Sequence, residues 1–402
     1  MSNYQEQRKQ PLLFVVILGA LTAIGALSID MFLPGLPQIQ SDFNTTTSNS
    51  QLTLSLFMIG LALGNLFVGP ISDAIGRKTP LVVAMLLFTL ASIGVIFVEN
   101  IWIMIALRFV QGFCGGAGAV VSRAISSDLY SGKQLTKFLA LLMLVNGVAP
   151  VIAPALGGVI LSFATWRMVF VILTVFGILM LLGTLLKVPE SLTEERRDSP
   201  HILSIFKNFK LLLMTPKFVL PMLIQGVTFI LLFSYISASP FVTQNIYHMS
   251  AQQFSIMFAL IGISLIFSSQ LTGKLIDYID KQSLLRILTM IQLIGIAVVS
   301  VTLITHLPIW ILFIGFIVLV APVTGVATLG FSIAMEERTG GNGSASSLLG
   351  LVQFLLGGLI SPLVGMMGES SFVPYVSIII IAGILLIILQ VINYFVFKPQ
   401  SF

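Results

Sequence analysis

The chain has 402 residues, of which 57% are hydrophobic and only 9% are charged, and its mean hydropathy is +1.06. This composition excludes a soluble globular domain and indicates a membrane protein with many crossings. The formal net charge of +5 follows membrane topology, so we expect contact with anionic lipids and no binding of nucleic acid.

Apolar stretches long enough to cross a membrane recur along the whole sequence. A helix needs about 20 residues to span ~30 Å of hydrocarbon, whereas barrel strands would be shorter and would alternate in polarity. We therefore predict an all-α membrane protein with twelve transmembrane helices. The predicted spans are residues 12–33, 52–71, 81–98, 102–121, 135–161, 168–186, 218–240, 254–272, 284–305, 309–331, 344–366 and 373–396.

A polar stretch near the middle separates six spans from six. The prediction is an N-terminal six-helix bundle at 1–187, a cytoplasmic linker with an amphipathic segment at 188–216, and a C-terminal six-helix bundle at 217–402. The halves share a weak glycine, aspartate and basic pattern, at 69–78 after the second span and at 273–281 after the eighth. Two pseudo-symmetric halves of six helices are typical of a secondary transporter.

The basic residues predict the orientation. If both termini are cytoplasmic, then among the 20 Lys and Arg residues only Arg167 faces outside and only Arg108 lies within the membrane. Arg8 and Lys9 precede the first apolar run, but no small-residue cleavage site ends it, so we expect a retained first helix.

One acidic residue, Asp30, lies inside the predicted spans. A charge in hydrocarbon is costly, so Asp30 is a candidate functional site. Arg108 in the fourth span also requires a partner. Helical rise places Arg108 about 9 Å and Asp30 about 12–14 Å below the outer surface. We therefore expect the two to pair as a proton-titrating site, with a purely structural ion pair as the alternative.

The loop after the second span contains a candidate gating motif, Gly69, Asp73, Gly76, Arg77 and Lys78. Asp73 can exchange basic partners as the halves move, and the glycines permit close approach and a sharp turn. The alternative is a solvated loop that only directs topology.

The fifth predicted span carries a stripe of small or helix-kinking residues, Gly147, Pro150, Pro154, Gly157 and Gly158. Their helical spacing places them on one side of the helix, which gives it a smooth, kinkable face. Ordinary packing of small residues against a neighbouring helix is the alternative.

These segments carry a family resemblance. The 69–78 loop resembles the signature loop of the major facilitator superfamily, although Ala74 stands where that family usually has a basic residue, and residues 107–116 resemble its second motif. The glycine and proline stripe of the fifth span resembles a motif of the drug:proton antiporters of the superfamily, where it lies at the contact between the halves.

Finer details are similar to the bicyclomycin and chloramphenicol resistance exporters, the Bcr/CflA branch. They are residues 30–39, the Trp166-Arg167 pair and residues 343–350, and the similarity extends over essentially the whole chain. The resemblance implies a multi-pass protein of the bacterial cytoplasmic membrane that exports small, largely apolar antibiotics or xenobiotics by alternating access. Drugs and protons would be its partners, Asp30 would titrate, and the proton gradient would replace any cofactor.

The 30 Phe and 16 Met residues offer adaptable surfaces for apolar ligands, although most of them must face lipid or other helices. The candidate pocket residues are Met58, Gln111, Asn146, Phe229, Phe233, Tyr235, Gln353 and Phe354.

Other classes of function fit the sequence less well. A transporter of a small metabolite, either proton-coupled or facilitative, shares the fold and remains the alternative. A lipid-modifying enzyme would need a catalytic cluster, and ATP-driven transport would need a phosphate-binding loop; the sequence shows neither. We expect no metal site, no enzymatic activity and a monomer.

Overall fold

The computed structural model describes residues 12–130, 152–194, 209–337 and 342–397, together with the single residues 138, 142, 145, 149 and 197. Almost all of this part of the chain is helical. The helices are α1 (Leu12–Asp30), α2 (Leu36–Asp42), α3 (Thr47–Ile75), α4 (Lys78–Phe97), α5 (Ile101–Leu129), α6 (Ile152–Leu161), α7 (Arg167–Lys187), α8 (Pro216–Phe241), α9 (Ala251–Leu275), α10 (Lys281–Ile304), α11 (Ile309–Val320), α12 (Pro322–Glu336), α13 (Asn342–Val364) and α14 (Val373–Phe397).

Within these residues, eleven helical spans are long and apolar enough to cross a membrane. α1 and α2 together form the first span, and α11 and α12 together form another. α6 is the continuous described part of the predicted fifth span, to which the single residues 138, 142, 145 and 149 also belong. The all-α multi-pass fold predicted from hydropathy is confirmed.

The first span is interrupted, and the sequence prediction did not anticipate the interruption. α1 ends at Asp30, a short 3-10 turn covers Leu33–Gly35, and α2 then continues to the end of the span. Pro34 and Pro37 lack the backbone N–H groups that a continuous helix requires, which explains the break. Asp30 therefore lies at a helix terminus inside the bundle.

Two groups of helices form the two halves of the bundle. In the first half, α3 and α5 pack backbone to backbone, because Gly60 and Gly64 of α3 face α5 while Gly112 and Gly116 of α5 face α3. In the second half, α8 packs against α12, α13 and α14, and the halves meet along α3 and α13.

Corresponding ion pairs occur in the two halves. Arg77, just after α3, pairs with Asp128 near the end of α5. Lys281, just after α9, pairs with Glu336 at the end of α12. The same relation between equivalent helices supports the pseudo-symmetric repeat. Both pairs lie at one end of the bundle, which we call the basic end; we call the other end the far end.

The described part of the linker packs on the basic end. Glu190 contacts the loop between α3 and α4. Residues 209–213 are helical, with Phe209 and Leu212 buried and Leu211 and Leu213 exposed. The remainder of the predicted amphipathic segment, at 201–208, lies outside the described residues.

Candidate functional site

A cavity of about 250 Å³ lies between the two halves. Most of its wall is apolar, and among the described lining residues only Asp30 and Arg123 carry formal charge. The lining residues are Thr22, Gly25, Ala26, Ile29, Asp30, Leu61, Asn65, Gly115, Ala119, Arg123, Leu232, Phe233, Tyr235, Ile236, Phe258, Ile261, Gly262, Leu265, Val320 and Phe354.

Asp30 occupies the wall of this cavity at the end of α1, with 5% of its surface exposed. It forms no hydrogen bond and no ion pair with any residue that the structure describes. Tyr235 of α8 lies near its carboxyl group. An ionised carboxylate in such surroundings is costly unless a proton or a positive group neutralises it.

Arg108 is fully buried in α5 and bonds to backbone and aromatic groups. Its Nη2 donates to the Ser28 carbonyl oxygen at 2.9 Å, and its Nη1 donates to Gln111 Oε1 at 3.0 Å. The guanidinium carbon lies 4.2 Å and 4.3 Å from the ring centroids of Phe32 and Phe57. Arg108 is therefore held by a helix end, an amide and two rings.

The expected pair between Asp30 and Arg108 is not formed in this structure. The break in the first span explains the difference, because the last turn of α1 has carbonyl groups without helical partners. A cation at a helix C-terminus is stabilised by these carbonyls, and the aromatic faces add cation–π attraction. Arg108 thus ties α5 to the end of α1, immediately next to Asp30.

Three of the predicted pocket residues line the cavity. Phe233 of α8 and Phe354 of α13 lie close to each other, with ring centroids 6.1 Å apart. Tyr235 stacks on Phe258 at 5.5 Å and meets the edge of Phe316 at 4.9 Å. This aromatic wall belongs to the second half, opposite Asp30.

The other predicted pocket residues lie elsewhere. Met58, Phe229 and Gln111 are buried but do not line the cavity; Met58 and Phe229 pack near Phe233, and Gln111 donates to Ser92 at 2.7 Å. Gln353 also lies outside the lining and accepts a bond from Gln225. Asn146 lies outside the described residues.

The glycines of α6 lie at two closely packed contacts. A Cβ added to Gly157 would lie 3.0 Å from the carbonyl carbon of Met31, at the break in the first span. One added to Gly158 would lie 2.6 Å from the Cβ of Ser255 in the second half. Pro154 is buried in the same helix, whereas Gly147 and Pro150 lie outside the described residues. α6 therefore contacts both the break and the other half.

The predicted gating loop forms a charge cluster at the basic end. Arg77 pairs with Asp73, and its Nε donates to Asp128 at 2.9 Å. Gly76 has a φ of +101°, a conformation that favours glycine. Gly69 faces α5 in ordinary van der Waals contact. Burial opposes the charge of Arg77, but Asp128 and Asp73 outweigh it and raise the pKa of this side chain.

Glu190 of the linker completes the cluster and was not anticipated from the sequence. Its carboxylate accepts from the backbone N–H groups of Arg77 at 2.9 Å, Lys78 at 3.1 Å and Leu192 at 3.0 Å. Burial works against ionisation, but these three bonds and the nearby charge of Arg197 hold the pKa of Glu190 below its ordinary value. Within the described residues the loop is bound to its own half and to the linker.

Hydrogen bonds between the two halves occur at the far end. They join the first span and α3 to the end of α8 and to α13 and its following loop, and no bond of this kind joins two described residues at the basic end. The pairs are Gln40 with Glu369, Ser48 with the Pro362 carbonyl, Gln51 with the Ser237 carbonyl, and Gln244 with the Pro34 carbonyl. The cavity is therefore closed at the far end and extends from Asp30 towards the basic end.

Sequence comparison finds a family model and several relatives. The model of the Major Facilitator Superfamily matches residues 18–362. The uncharacterized MFS-type transporter YdgK of Bacillus subtilis (strain 168) is 39% identical over 94% of each chain. The bicyclomycin resistance protein homolog of Haemophilus influenzae is 30% identical over 92% of each chain.

Structure comparison finds the same architecture. The crystal structure of a mutant of the nucleoside transporter NupG superposes with a TM-score of 0.76 and covers 96% of this chain and 99% of its own. At 14% sequence identity, this similarity concerns the fold alone.

Proposed function

Because the chain belongs to the major facilitator superfamily, and within it is similar to drug-resistance proteins, we propose that it is a proton-driven exporter of small, largely apolar antibiotics or other xenobiotics. The observation that carries the proposal is Asp30, a carboxyl group without a charged partner among the described residues, in the wall of a mainly apolar cavity. In this cavity a proton and a drug compete for the same group.

We place the basic end in the cytoplasm, because basic residues concentrate on that side of a membrane. In this orientation Leu12 and Phe397, the first and last described residues, lie on the cytoplasmic side, which supports the predicted orientation of the chain. The structure is then closed to the outside by the four bonds between the halves. A drug enters the cavity from the cytoplasm or from the inner leaflet.

Transport proceeds by alternating access in this proposal. An ionised Asp30 is neutralised by a proton or by a polar group of the drug. Arg108, bonded to the carbonyl of Ser28 two residues before Asp30, remains close enough to stabilise the ionised form when the break rearranges. Once the cavity opens outward, a proton from outside neutralises Asp30, the drug leaves, and the protonated chain returns.

Two contacts supply the moving surfaces. Gly157 and Gly158 let α6 slide between the break in the first span and α9, because neither has a side chain that locks the contact. At the basic end, Asp73 is half-exposed and pairs only with Arg77 among the described residues, so it is available to a new partner when this end closes.

The test is drug-induced proton release from purified protein in detergent. Wild type, Asp30→Asn and a control, Asp277→Asn, which removes an exposed carboxylate outside the cavity, are titrated with chloramphenicol, a fluoroquinolone and a cationic dye in weakly buffered solution. We expect release from wild type and Asp277→Asn and none from Asp30→Asn.

Release that persists in Asp30→Asn would remove Asp30 as the coupling site. Binding without release from wild type would overturn proton exchange and favour facilitative or differently coupled transport of a small metabolite. The compound series also identifies the drugs that the cavity accepts.

A further inference from the structure

A second charged group, Arg123, lines the cavity, and the proposed export function does not use it. We propose that Arg123 forms a subsite for an acidic group of the substrate; this proposal rests on the proposed export function. The preferred substrates are then amphipathic molecules that carry a carboxylate at one end of an apolar body, and zwitterions above all.

The geometry of α5 places this side chain in the cavity. Gly115, Ala119 and Arg123 follow at intervals of four residues, so they lie on one face of the helix, and all three line the cavity. Arg123 Nε donates to the Ala119 carbonyl oxygen at 3.2 Å. The side chain is therefore folded back along α5, away from the basic end.

Arg123 has N–H donors that its bond to Ala119 does not use. The guanidinium has five N–H donors in a planar fork that matches a carboxylate. The bond to Ala119 uses one of them, and no acidic residue of the described chain pairs with it. Arg77 and Arg167, in contrast, both form ion pairs, and Arg108 is enclosed by carbonyl, amide and rings.

A residue that only directed topology would point its charge to the aqueous boundary, since long basic side chains extend towards water. Arg123 is exposed, but it lines the cavity and bonds back along α5 to Ala119. An unpaired cation that lines a binding cavity attracts a negative group of the ligand, because the apolar walls weaken the attraction less than water does.

The distance to Asp30 sets the length of the ligand. Gly115 is level with Gly25, because a Cβ on Gly115 would lie 3.8 Å from the Gly25 Cα. The guanidinium lies one turn towards the basic end at Ala119, and Asp30 lies five residues in the other direction. At 1.5 Å per residue, the two charges are about 14 Å apart along the bundle axis.

Apart from the two charges, the cavity wall is mainly apolar and aromatic. Phe233, Phe258 and Phe354 line it from the second half. A flat apolar body against these rings, with an ammonium group towards Asp30 and a carboxylate towards Arg123, satisfies both charges at once. A dication places like charge against Arg123 and is disfavoured.

The experiment compares two ligands that differ in one charge. Norfloxacin carries a carboxylate and an ammonium group at neutral pH, and its methyl ester keeps the ammonium group alone. Their dissociation constants are measured by calorimetry on the full chain in lipid nanodiscs, for wild type, Arg123→Gln, Arg123→Lys and the control Lys274→Gln, which removes an exposed positive charge near the basic end.

We expect wild type and Lys274→Gln to bind the acid about tenfold or more tightly than the ester, the effect of one charge-assisted hydrogen bond. Arg123→Gln removes this preference and leaves the affinity for the ester unchanged, which also shows that the variant is folded. Arg123→Lys retains part of the preference, because the charge remains and the fork is lost.

The assignment is overturned if wild type shows no preference for the acid. It is also overturned if Arg123→Gln loses affinity for the acid and the ester equally, or if the ratio of their dissociation constants in that variant equals that of wild type. Proton release measured on the same samples separates the two proposals. If proton release depends on Asp30 but the acid-to-ester affinity ratio does not depend on Arg123, the export function is supported and the subsite is overturned. If the affinity ratio depends on Arg123 but no proton is released, the subsite is supported and proton-driven export is overturned.

Discussion

The close packing of α3 against α5 makes Gly112 intolerant of any side chain. A Cβ on Gly112 would lie 2.7 Å from the carbonyl carbon and 2.9 Å from the Cα of Phe57, and closer still to the carbonyl oxygen. Ordinary contact begins at 3.4 Å, so in Gly112→Ala the two helices must move apart by about 1 Å in an interior that is otherwise close-packed.

The free-energy cost follows from the identity of the clashing atoms. Backbone atoms cannot relieve a clash by changing rotamer, so the upper part of the usual range for overpacking, about 1–3 kcal/mol, applies. The gain in helix propensity from Gly to Ala returns only ~1 kcal/mol. Phe57 also packs on Arg108, and this contact is disturbed as well. We expect a net loss of about 2 kcal/mol.

The assay uses Cys114, the single cysteine of the chain, which is buried in α5. A thiol-reactive fluorophore reports its exposure during heating in detergent. Gly112→Ala should unfold several degrees below wild type. The matched control is Gly273→Ala in α9, where nothing lies within 4 Å of an added Cβ, and it should unfold at the wild-type temperature or above. Unfolding of Gly112→Ala at or above the wild-type temperature would refute the packing argument.

Three further predictions concern the charge cluster, Arg108 and the closed far end. The pKa of Glu190 is lowered in the folded chain, so its contribution to stability is complete above its ordinary pKa of about 4.3 and is lost as the pH falls through the folded-state pKa. Glu190→Gln should therefore flatten the loss of thermal stability between about pH 5 and pH 3. An unchanged loss of stability over this pH range would contradict the argument. Arg108→Lys should fold, as judged by size-exclusion chromatography, yet lose most drug-induced proton release. One ammonium group cannot reproduce the planar fork that reaches both Ser28 and Gln111. Proton release at the wild-type level would show that this geometry is not required. Gln51→Leu removes the bond to the Ser237 carbonyl and should favour opening of the far end about tenfold. Spin labels in place of Ser41 and Ser370, which are exposed at the far end of the two halves, should then report a longer distance. An unchanged distance distribution would show that the bond does not hold the closure.

The sequence predicts the spans well because hydropathy and span length are local properties. The break in the first span was missed although its signal was present. Pro34, Gly35 and Pro37 stand within eight residues of Asp30, and proline removes the backbone donors of a helix. Reading these residues as a break would have placed Asp30 at a helix end.

The partner of Arg108 could not be predicted in the same way. A carbonyl oxygen has no sequence signature, and Ser28 becomes a suitable acceptor only because α1 stops two residues later. Glu190 poses a similar difficulty, because it contacts Arg77 from 113 residues away. Such contacts depend on the positions of whole helices. Arg123 was counted from the sequence as a topological charge, and only the helix face it shares with Gly115 places it in the cavity.

The break in the first span joins the parts of the proposed transport cycle. Asp30 ends α1, and Arg108 binds the carbonyl of Ser28 in the same turn. The backbone of Met31 lies against Gly157 of α6, and the carbonyl of Pro34 accepts a bond from Gln244 of the second half.

Within seven residues, 28–34, the chain therefore contacts the buried Arg108, α6 and the closure between the halves. A short segment with few internal hydrogen bonds rearranges at lower cost than a continuous helix does. A change of charge at Asp30 acts first on this segment, because the carboxyl group is attached to it. In the proposed cycle the break is thus the element through which proton binding alters the contact between the halves, and no longer path through the bundle is required.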